Sequence, residues 1–315
     1  MKLLITRPLP AAVMQAAALR FDVTARPSTA PLDVSELRAA LRDFDAVLPT
    51  LGDQFSAQVF ADVPQPRARI LANFGVGYNH IDVQAARNAG IAVSNTPGAV
   101  TDATADVALT LILMTARRAG EGERLLRAGS WQGWHPTQML GAQVSGRRVG
   151  IIGMGRIGKA IARRCHYGFG MQVVFHNRSA VDDAGCPAEQ LPLAQVMAAD
   201  FVVVAVPGGP ATRHLINAET LAHMAPHGIF INIARGDVVD EAALADALLR
   251  GQIAGAGLDV YEREPQITAA LLGLENVTLL PHLGTAVLEV RSAMGLMALD
   301  NLVAHLDGRP LPNPV

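Results

Sequence analysis

Short aliphatic runs recur along the chain, each separated from the next by a helix-like segment. In the N-terminal part the apolar runs cover residues 3–6, 46–48, 70–73 and 91–94. The segments 35–42 and 82–88 are typical of helices, and the second begins at an Asp cap and ends at a glycine. Strands that alternate with helices in this way predict a parallel α/β sheet.

A second and stronger series follows a long predicted helix at 101–118 and a stretch at 120–146 that contains both tryptophans and no clear strand. Its predicted strands cover residues 149–152, 172–175, 201–206, 229–233, 253–258 and 277–280. These nearly continuous apolar runs are typical of strands that are covered on both faces, and six of them match a dinucleotide-binding sheet.

The last predicted helix, residues 286–306, is expected to return to the N-terminal unit and make that domain discontinuous. The predicted domains are therefore residues 1–98 with 286–315, and residues 99–285.

Composition excludes several classes of protein. Half of the residues are apolar and only 4% are aromatic, so the core is aliphatic. Lys and Arg number 26 against 28 Asp and Glu, which leaves a net charge of −2 and no basic surface for a nucleic acid. The two cysteines, Cys165 and Cys186, cannot form a disulfide framework or a zinc cluster. With no signal peptide and no apolar stretch long enough for a membrane span, the expected location is the cytoplasm.

A glycine-rich turn follows the first strand of the second series. Residues 149–158 read VGIIGMGRIG, a G-x-G-x-x-G pattern between a strand and a helix. Glycines let the backbone approach a pyrophosphate, whose charge then faces the helix N-terminus. The flanking strand and helix are the context that the motif requires, although a glycine-rich turn without a ligand is the alternative. The residues expected to contact a dinucleotide are Gly153, Met154, Gly155, Arg156, Ile157 and Gly158.

The end of the next strand bears on the choice of cofactor. An NAD site usually carries Asp or Glu there, whereas this chain has Asn177, Arg178 and Ser179. A carboxylate would repel a 2′-phosphate, and a guanidinium can bind it with two hydrogen bonds. The sequence therefore favours NADPH, and the alternative is an NADH site in which Arg178 stacks on the adenine.

Charged or titratable side chains follow three later strands of the second series: Arg235, Glu264 and His282. Ligands of open α/β sheets bind outside the carboxyl ends of the strands, so we expect the three to converge. Arg235 can bind a carboxylate and polarise a ketone. An imidazole titrates near neutral pH, so His282 can donate a proton to a developing alkoxide, while Glu264 orients the ring and favours its charged form.

Each of the three also has a structural interpretation. Asp240 resembles the N-cap of a following helix, so Arg235 is also compatible with an ordinary loop arginine. A histidine after a strand is more often structural than catalytic, and Glu264-Pro265 alone is only a turn. Their joint placement favours the catalytic interpretation.

The motifs around these residues resemble the D-isomer-specific 2-hydroxyacid dehydrogenase family over nearly the whole chain. The matching segments are residues 73–82, 96–109, 146–158, 232–236, 257–265 and 281–284. The fold expected is α/β with two doubly wound parallel-sheet domains, a Rossmann NAD(P)-binding domain inserted into a flavodoxin-like substrate domain. Within the family the chain is most similar to glyoxylate/hydroxypyruvate reductases, many of which use NADPH.

The resemblance implies further roles. Val76 and Gly77 are expected to bind the substrate carboxylate through backbone N–H groups. The full set implied for the substrate is Leu51, Gly75, Val76, Gly77, Trp134, Arg235 and His282. The further set implied for the cofactor is Thr104, Val206, Pro207, Thr212, Ile233, Ala234, Asp259 and Gly284. No metal is expected.

The resemblance also implies a homodimer built on the long helix and the tryptophan-bearing segment. Trp134 then either closes the substrate pocket, in its own subunit or the partner, or lies buried in the dimer core.

The predicted activity is NADPH-dependent reduction of a small 2-oxo acid, glyoxylate or hydroxypyruvate, in a cleft that closes and excludes water. Within the family the alternative is an NAD-dependent dehydrogenase for a bulkier acid of the phosphoglycerate, D-lactate or phenylpyruvate type. Outside it, the alternatives are a nucleotide-sensing interaction protein on the same fold and an unrelated Rossmann enzyme such as a methyltransferase.

Overall fold

The computed structural model describes every residue from Met1 to Val315. Backbone packing divides the chain into two units: unit 1 is Met1–Val100 with Thr285–Val315, and unit 2 is Thr101–Gly284. Unit 2 is thus an insertion in the chain of unit 1.

Both units are built from parallel strands and helices. The strands are β1 (Lys2–Ile5), β2 (Asp22–Ala25), β3 (Ala46–Leu48), β4 (Ile70–Ala72), β5 (Ala92–Ser94), β6 (Arg148–Ile152), β7 (Gln172–His176), β8 (Ala188–Gln190), β9 (Phe201–Val204), β10 (Ile229–Asn232), β11 (Gly255–Leu258) and β12 (Val277–Leu279). The α-helices are α1 (Ala11–Ala18), α2 (Val34–Asp43), α3 (Ala57–Ala61), α4 (Val83–Asn88), α5 (Thr101–Ala116), α6 (Ala119–Arg127), α7 (Arg156–Arg163), α8 (Leu193–Met197), α9 (Ala218–Leu221), α10 (Glu241–Leu249), α11 (Ala269–Leu272) and α12 (Leu288–Leu306). None of these helices has the length and apolar character that crossing a membrane would need.

Unit 1 contains a five-stranded parallel sheet in the order β2-β1-β3-β4-β5, which is the flavodoxin-like order. Successive residues of a strand point to opposite faces, and both faces are apolar. In β3, Val47 packs into one hydrophobic cluster, and Ala46 and Leu48 pack into the other. The strand order reverses between β1 and β3, so the loops that follow these strands lie where such sheets bind ligands.

Unit 2 contains a seven-stranded sheet in the order β12-β11-β10-β9-β6-β7-β8, and its pairs are all parallel. This is the Rossmann order with one further strand at an edge. Asn232 of β10 pairs with Leu258 of β11, which pairs in turn with Leu279 of β12. The three strands therefore end at the same level, and the loops after them start side by side.

The predicted fold class is confirmed, and the differences are local. The strands β2 and β8 were not predicted, because Asp22–Ala25 and Ala188–Gln190 are short edge segments with exposed or half-buried residues and no apolar run. The sheet of unit 2 therefore has seven strands rather than six. The stretch after α5, for which no strand was predicted, begins with α6, a helix that buries none of its residues. The helix predicted to end at residue 118 ends at Ala116.

Candidate active site

The loops after β10, β11 and β12 carry the three residues predicted to be catalytic. Because these strands end in register, Arg235, Glu264 and His282 all lie on loops at the carboxyl edge of one sheet. Glu264 and His282 are in direct contact, since Nδ1 of His282 lies 2.8 Å from Oε2 of Glu264. Arg235 acts electrostatically on Glu264.

Both oxygens of the Glu264 carboxylate are used. Oε2 accepts the hydrogen bond from His282, and Oε1 accepts one from the backbone N–H of Tyr261 at 3.1 Å. Burial raises the pKa of Glu264, but the hydrogen bond and charge of His282, the Tyr261 N–H and Arg235 outweigh it and hold that pKa below its ordinary value. The carboxylate is therefore ionised at neutral pH. With Nδ1 bound to Glu264, the Nε2 atom of His282 is left for chemistry.

Asp259 fixes the turn that presents His282. The φ angle of His282 is +54°, a conformation that costs a non-glycine residue free energy. Asp259 compensates through three bonds: its carbonyl accepts the His282 N–H, and its carboxylate accepts the N–H groups of Leu283 at 2.6 Å and Gly284 at 2.8 Å. Burial raises the pKa of Asp259 more than these backbone hydrogen bonds lower it.

The Arg235 side chain is only sparsely bonded within the chain. Its Nη1 donates to the carbonyl of Ala234 at 2.7 Å, and its buried Nε has no partner. Burial lowers the pKa of Arg235, while the charges of Glu264 and Asp237 raise it. A half-buried guanidinium with free donors is suited to bind an anion.

Glycines shape the space around Arg235. A Cβ on Gly208 would lie 2.7 Å from Cγ of Arg235, so the loop after β9 packs directly on the arginine stem. A Cβ on Gly236 would lie 1.8 Å from the carbonyl carbon of Tyr261. Only a residue without a side chain allows this contact, which joins the Arg235 loop to the loop of Glu264. The hydroxyl of Tyr261 then donates to the carbonyl of Leu280 at 2.9 Å, just before His282.

The glycine-rich loop has the geometry of a phosphate cradle. Gly153 has a φ angle of +101°, and a Cβ on Gly158 would lie 2.1 Å from the Gly153 carbonyl oxygen. Gly155 is the N-cap of α7, and the space beside its Cα is open. These features leave room for a pyrophosphate at the start of α7. Met154 is buried, whereas Arg156 and the half-buried Ile157 begin the helix.

The loop after β7 is braced against the glycine-rich loop. Oδ1 of Asn177 accepts a hydrogen bond from the Met154 N–H at 3.4 Å, and its Nδ2 donates to the Ser179 carbonyl. Nε2 of Gln190 donates to the carbonyls of both Asn177 and Ser179. Arg178 is exposed between them and makes no hydrogen bond or ion pair within the chain. A free guanidinium on a fixed loop fits a dinucleotide that carries a 2′-phosphate.

The remaining residues expected at the cofactor line the same edge of the sheet in unit 2. The Thr104 hydroxyl donates to the Gly284 carbonyl at 3.1 Å, which ties the start of α5 to the loop of His282. The Thr212 hydroxyl donates to the Pro207 carbonyl at 2.6 Å. The others follow the ends of β9 and β10, where they are buried or half-buried: Val206, Ile233 and Ala234.

The residues expected to bind substrate in unit 1 lie on two neighbouring loops. Thr50 and Phe74 form a parallel bridge that joins the loop after β3, which holds Leu51, to the loop of Gly75, Val76 and Gly77 after β4. Arg7 donates to the Leu51 carbonyl at 2.6 Å. Trp134, in unit 2, is 79% exposed.

Several residues that shape these loops were not predicted: Arg7, Asn232, Gly208, Gly236, Tyr261 and Gln190. Asn232, for example, donates to the Arg235 carbonyl and accepts from the Ala234 N–H, and so sets the turn after β10. Their roles depend on side-chain directions, for which the sequence carries no pattern. The one usable signal was the glycine directly after Arg235, which marks a close backbone approach.

Comparison with known proteins agrees with this geometry. The family model described as D-isomer specific 2-hydroxyacid dehydrogenase, NAD binding domain, matches residues 109–284. The glyoxylate reductase of Thermococcus kodakarensis is 43% identical over 100% of this chain and 96% of the relative.

Two solved structures extend the comparison to three dimensions. A Thermus thermophilus protein superposes with a TM-score of 0.92 at 39% identity and covers 100% of both chains. The NADPH-dependent glyoxylate/hydroxypyruvate reductase of Sinorhizobium meliloti, in complex with NADP and malonate, superposes with a TM-score of 0.88 at 36% identity over 100% of this chain and 96% of the other. The chain is an NAD(P)-dependent oxidoreductase and belongs to the D-isomer-specific 2-hydroxyacid dehydrogenase family.

Proposed function

We propose that the protein uses NADPH to reduce glyoxylate or hydroxypyruvate to the D-2-hydroxy acid, with His282 as the proton donor. The main support for the proposal is that Nδ1 of His282 lies 2.8 Å from Oε2 of Glu264, on the same sheet edge as Arg235. The relatives support the substrate class, because one is a glyoxylate reductase and the other is an NADPH-dependent glyoxylate/hydroxypyruvate reductase.

When bound, the reduced nicotinamide supplies the hydride that goes to the carbonyl carbon of the 2-oxo acid. His282 gives the proton on Nε2 to the carbonyl oxygen, so the product is an alcohol and the imidazole becomes neutral. Glu264 stays ionised, keeps the proton on Nδ1, and stabilises the charged ring before the transfer.

Arg235 has two tasks in this proposal. Its guanidinium binds the substrate carboxylate and polarises the ketone oxygen, where negative charge develops. The backbone N–H groups of Val76 and Gly77 are the other ligands of the carboxylate. These donors are suited to a small 2-oxo acid because they recognise the carboxylate and the ketone together.

The choice of NADPH rests on the loop of Asn177, Arg178 and Ser179. The loop has no carboxylate to repel a 2′-phosphate, and it is braced by Gln190. Arg178 and Arg156 are both exposed and free of ion pairs within the chain, which supports two cationic contacts to the phosphates.

The first test measures turnover from the absorbance of NADPH and NADH with glyoxylate, hydroxypyruvate, pyruvate and phenylpyruvate. We expect NADPH oxidation with the first two acids, and His282→Asn should lower kcat by about 10²–10⁴-fold because a positioned acid is lost. His227→Asn is the matched control, since His227 forms a similar 2.9 Å pair with Asp200. Wild-type turnover by His282→Asn, or activity with phenylpyruvate and NADH alone, would contradict the proposal.

The second prediction concerns pH. In Glu264→Gln the neutral amide no longer stabilises a positive charge on the ring, so the alkaline fall in kcat/KM should move to lower pH. The profile is measured from pH 5 to 10. Glu262→Gln is the control, because Glu262 holds His214 at 2.9 Å in an equivalent pair. An unchanged profile in Glu264→Gln would show that Glu264 does not tune the proton donor.

The third prediction concerns the cofactor. Arg178→Asp replaces the expected ligand of the 2′-phosphate with a repelling charge, so the KM for NADPH should rise by about 10–100-fold while the KM for NADH changes little. Arg250→Asp, at an exposed arginine at the end of α10, controls for net charge. Equal effects on both cofactors would remove the basis for the NADPH assignment.

The proposal includes a homodimer built on the long helix α5 and the tryptophan-bearing segment at residues 120–146, which begins in α6. Large apolar side chains are exposed there, among them Leu126 at 60%, Trp131 at 49% and Leu140 at 68%. A second copy of the chain would remove this surface from water.

The fourth prediction tests this association by sedimentation velocity. We expect a dimer for the wild type and a monomer for Leu126→Glu, because a charge would be buried without a partner. Leu249→Glu is the control, since Leu249 is similarly exposed on α10, at 63%. A monomeric wild type at micromolar concentration would contradict the homodimer.

A further inference from the structure

Two asparagine side chains donate hydrogen bonds to three successive backbone carbonyls in the loop after β4. Nδ2 of Asn73 donates to the carbonyls of Gly75 and Gly77, both at 3.0 Å. Nδ2 of Asn95, which follows β5, donates to the carbonyl of Val76 at 2.8 Å. The three carbonyls of the loop are therefore all directed toward amide side chains.

This arrangement determines where the N–H groups of the loop point. A trans peptide is planar, so the N–H of one residue points opposite to the carbonyl of the residue before it. Asn73, by holding the Gly75 carbonyl, turns the Val76 N–H away from itself. Asn95, by holding the Val76 carbonyl, does the same for the Gly77 N–H. No hydrogen bond within the chain uses either N–H, so both are free donors.

Backbone bonds fix only one of these two peptides. The Thr96 N–H also bonds to the Gly75 carbonyl, so Thr96 and Asn73 together hold the peptide that carries the Val76 N–H. The Val76 carbonyl, on the peptide that carries the Gly77 N–H, is held by Asn95 alone. Gly75 has a φ angle of +152°, a conformation that residues with a side chain rarely adopt. Asn73 is 1% exposed, and its position is set by the core.

We propose that Asn73 and Asn95 are positioning residues that hold the Val76 and Gly77 N–H groups as a preformed site for the substrate carboxylate. The inference rests on the proposed function, in which these two N–H groups bind that carboxylate. Successive N–H groups that point into one space form an anion site, and its strength depends on their orientation before the ligand arrives. The two amides supply that orientation without adding charge.

The test uses Asn73→Ala and Asn95→Ala in the full-length protein. We expect the KM for glyoxylate to rise by about 10–100-fold in Asn95→Ala, because hydrogen bonds to a charged group lose their alignment. The rise should be smaller in Asn73→Ala, because the Thr96 N–H still holds the Gly75 carbonyl. The change in kcat should be smaller, because Arg235 and His282 are untouched. The affinity for NADPH, measured by its fluorescence, should stay unchanged.

A second readout does not depend on turnover. Oxamate has the shape of a 2-oxo acid and cannot be reduced, so with NADPH it should slow deuterium uptake at residues 73–78 during millisecond labelling. We expect this protection in the wild type, its loss in Asn95→Ala and a weaker protection in Asn73→Ala. Asn301→Ala is the control for removing a buried amide, since Asn301 is fully buried and donates to the Met297 carbonyl at 2.8 Å. Asn88→Ala, at an exposed position of α4, is the control for Asn95.

The outcomes separate the two proposals. If oxamate protects the loop equally in the wild type and both asparagine variants, or leaves the wild-type loop unprotected, the inference is wrong. If oxamate protects the wild type and Asn95→Ala loses that protection, the inference holds, whichever 2-oxo acid the enzyme reduces. A wild type that is protected by oxamate but does not reduce glyoxylate contradicts the proposed substrate alone. If Asn73→Ala fails to fold, Asn95→Ala alone tests the inference, because it releases the peptide that carries the Gly77 N–H.

Discussion

The carboxylate of Asp259 holds together the part of unit 2 that carries the proposed catalytic residues. It lies at the end of β11 and binds the backbone of the loop after β12, so it joins two strands at the edge where their loops begin. His282 needs this support because its backbone has a positive φ angle. A ring presented from an unsupported turn would sample many directions, whereas here the turn is fixed before Glu264 selects the orientation of the ring.

The register of the sheet brings the three loops to one edge, where the contacts between them can form. Since β10, β11 and β12 end level with one another, three short loops can bring residues from distant parts of the chain to one edge. The contact between Gly236 and Tyr261 then fixes the spacing of the first two loops, and the Tyr261 hydroxyl reaches the third. The three loops are consequently packed against one another, and these contacts restrict the motion of each loop.

The sequence was sufficient for the fold class, and it led to three candidate catalytic residues that the structure has on one sheet edge, because both depend on position along the chain. Apolar runs locate strands, and the rule that ligands bind at the carboxyl ends of parallel strands led to the proposal of Arg235 and His282. It was insufficient for β8, whose mostly exposed residues carry no apolar pattern. It was equally insufficient for Asn73 and Asn95, because an amide in a loop motif does not reveal which carbonyls it meets. Such roles depend on side-chain direction, and tertiary packing sets that direction.

Two kinds of group are proposed to bind the carboxylate, a guanidinium and peptide N–H groups, and they differ in their electrostatics. The half-buried guanidinium of Arg235 attracts an anion strongly, but burial penalises its charge, and Glu264 and Asp237 offset only part of that penalty. Peptide N–H groups held by Asn73 and Asn95 carry no net charge and do not titrate near neutral pH. In the proposed site they would add affinity for the carboxylate without adding charge. Under this proposal the pH dependence of catalysis rests with the pair of His282 and Glu264 and not with the groups that bind the carboxylate.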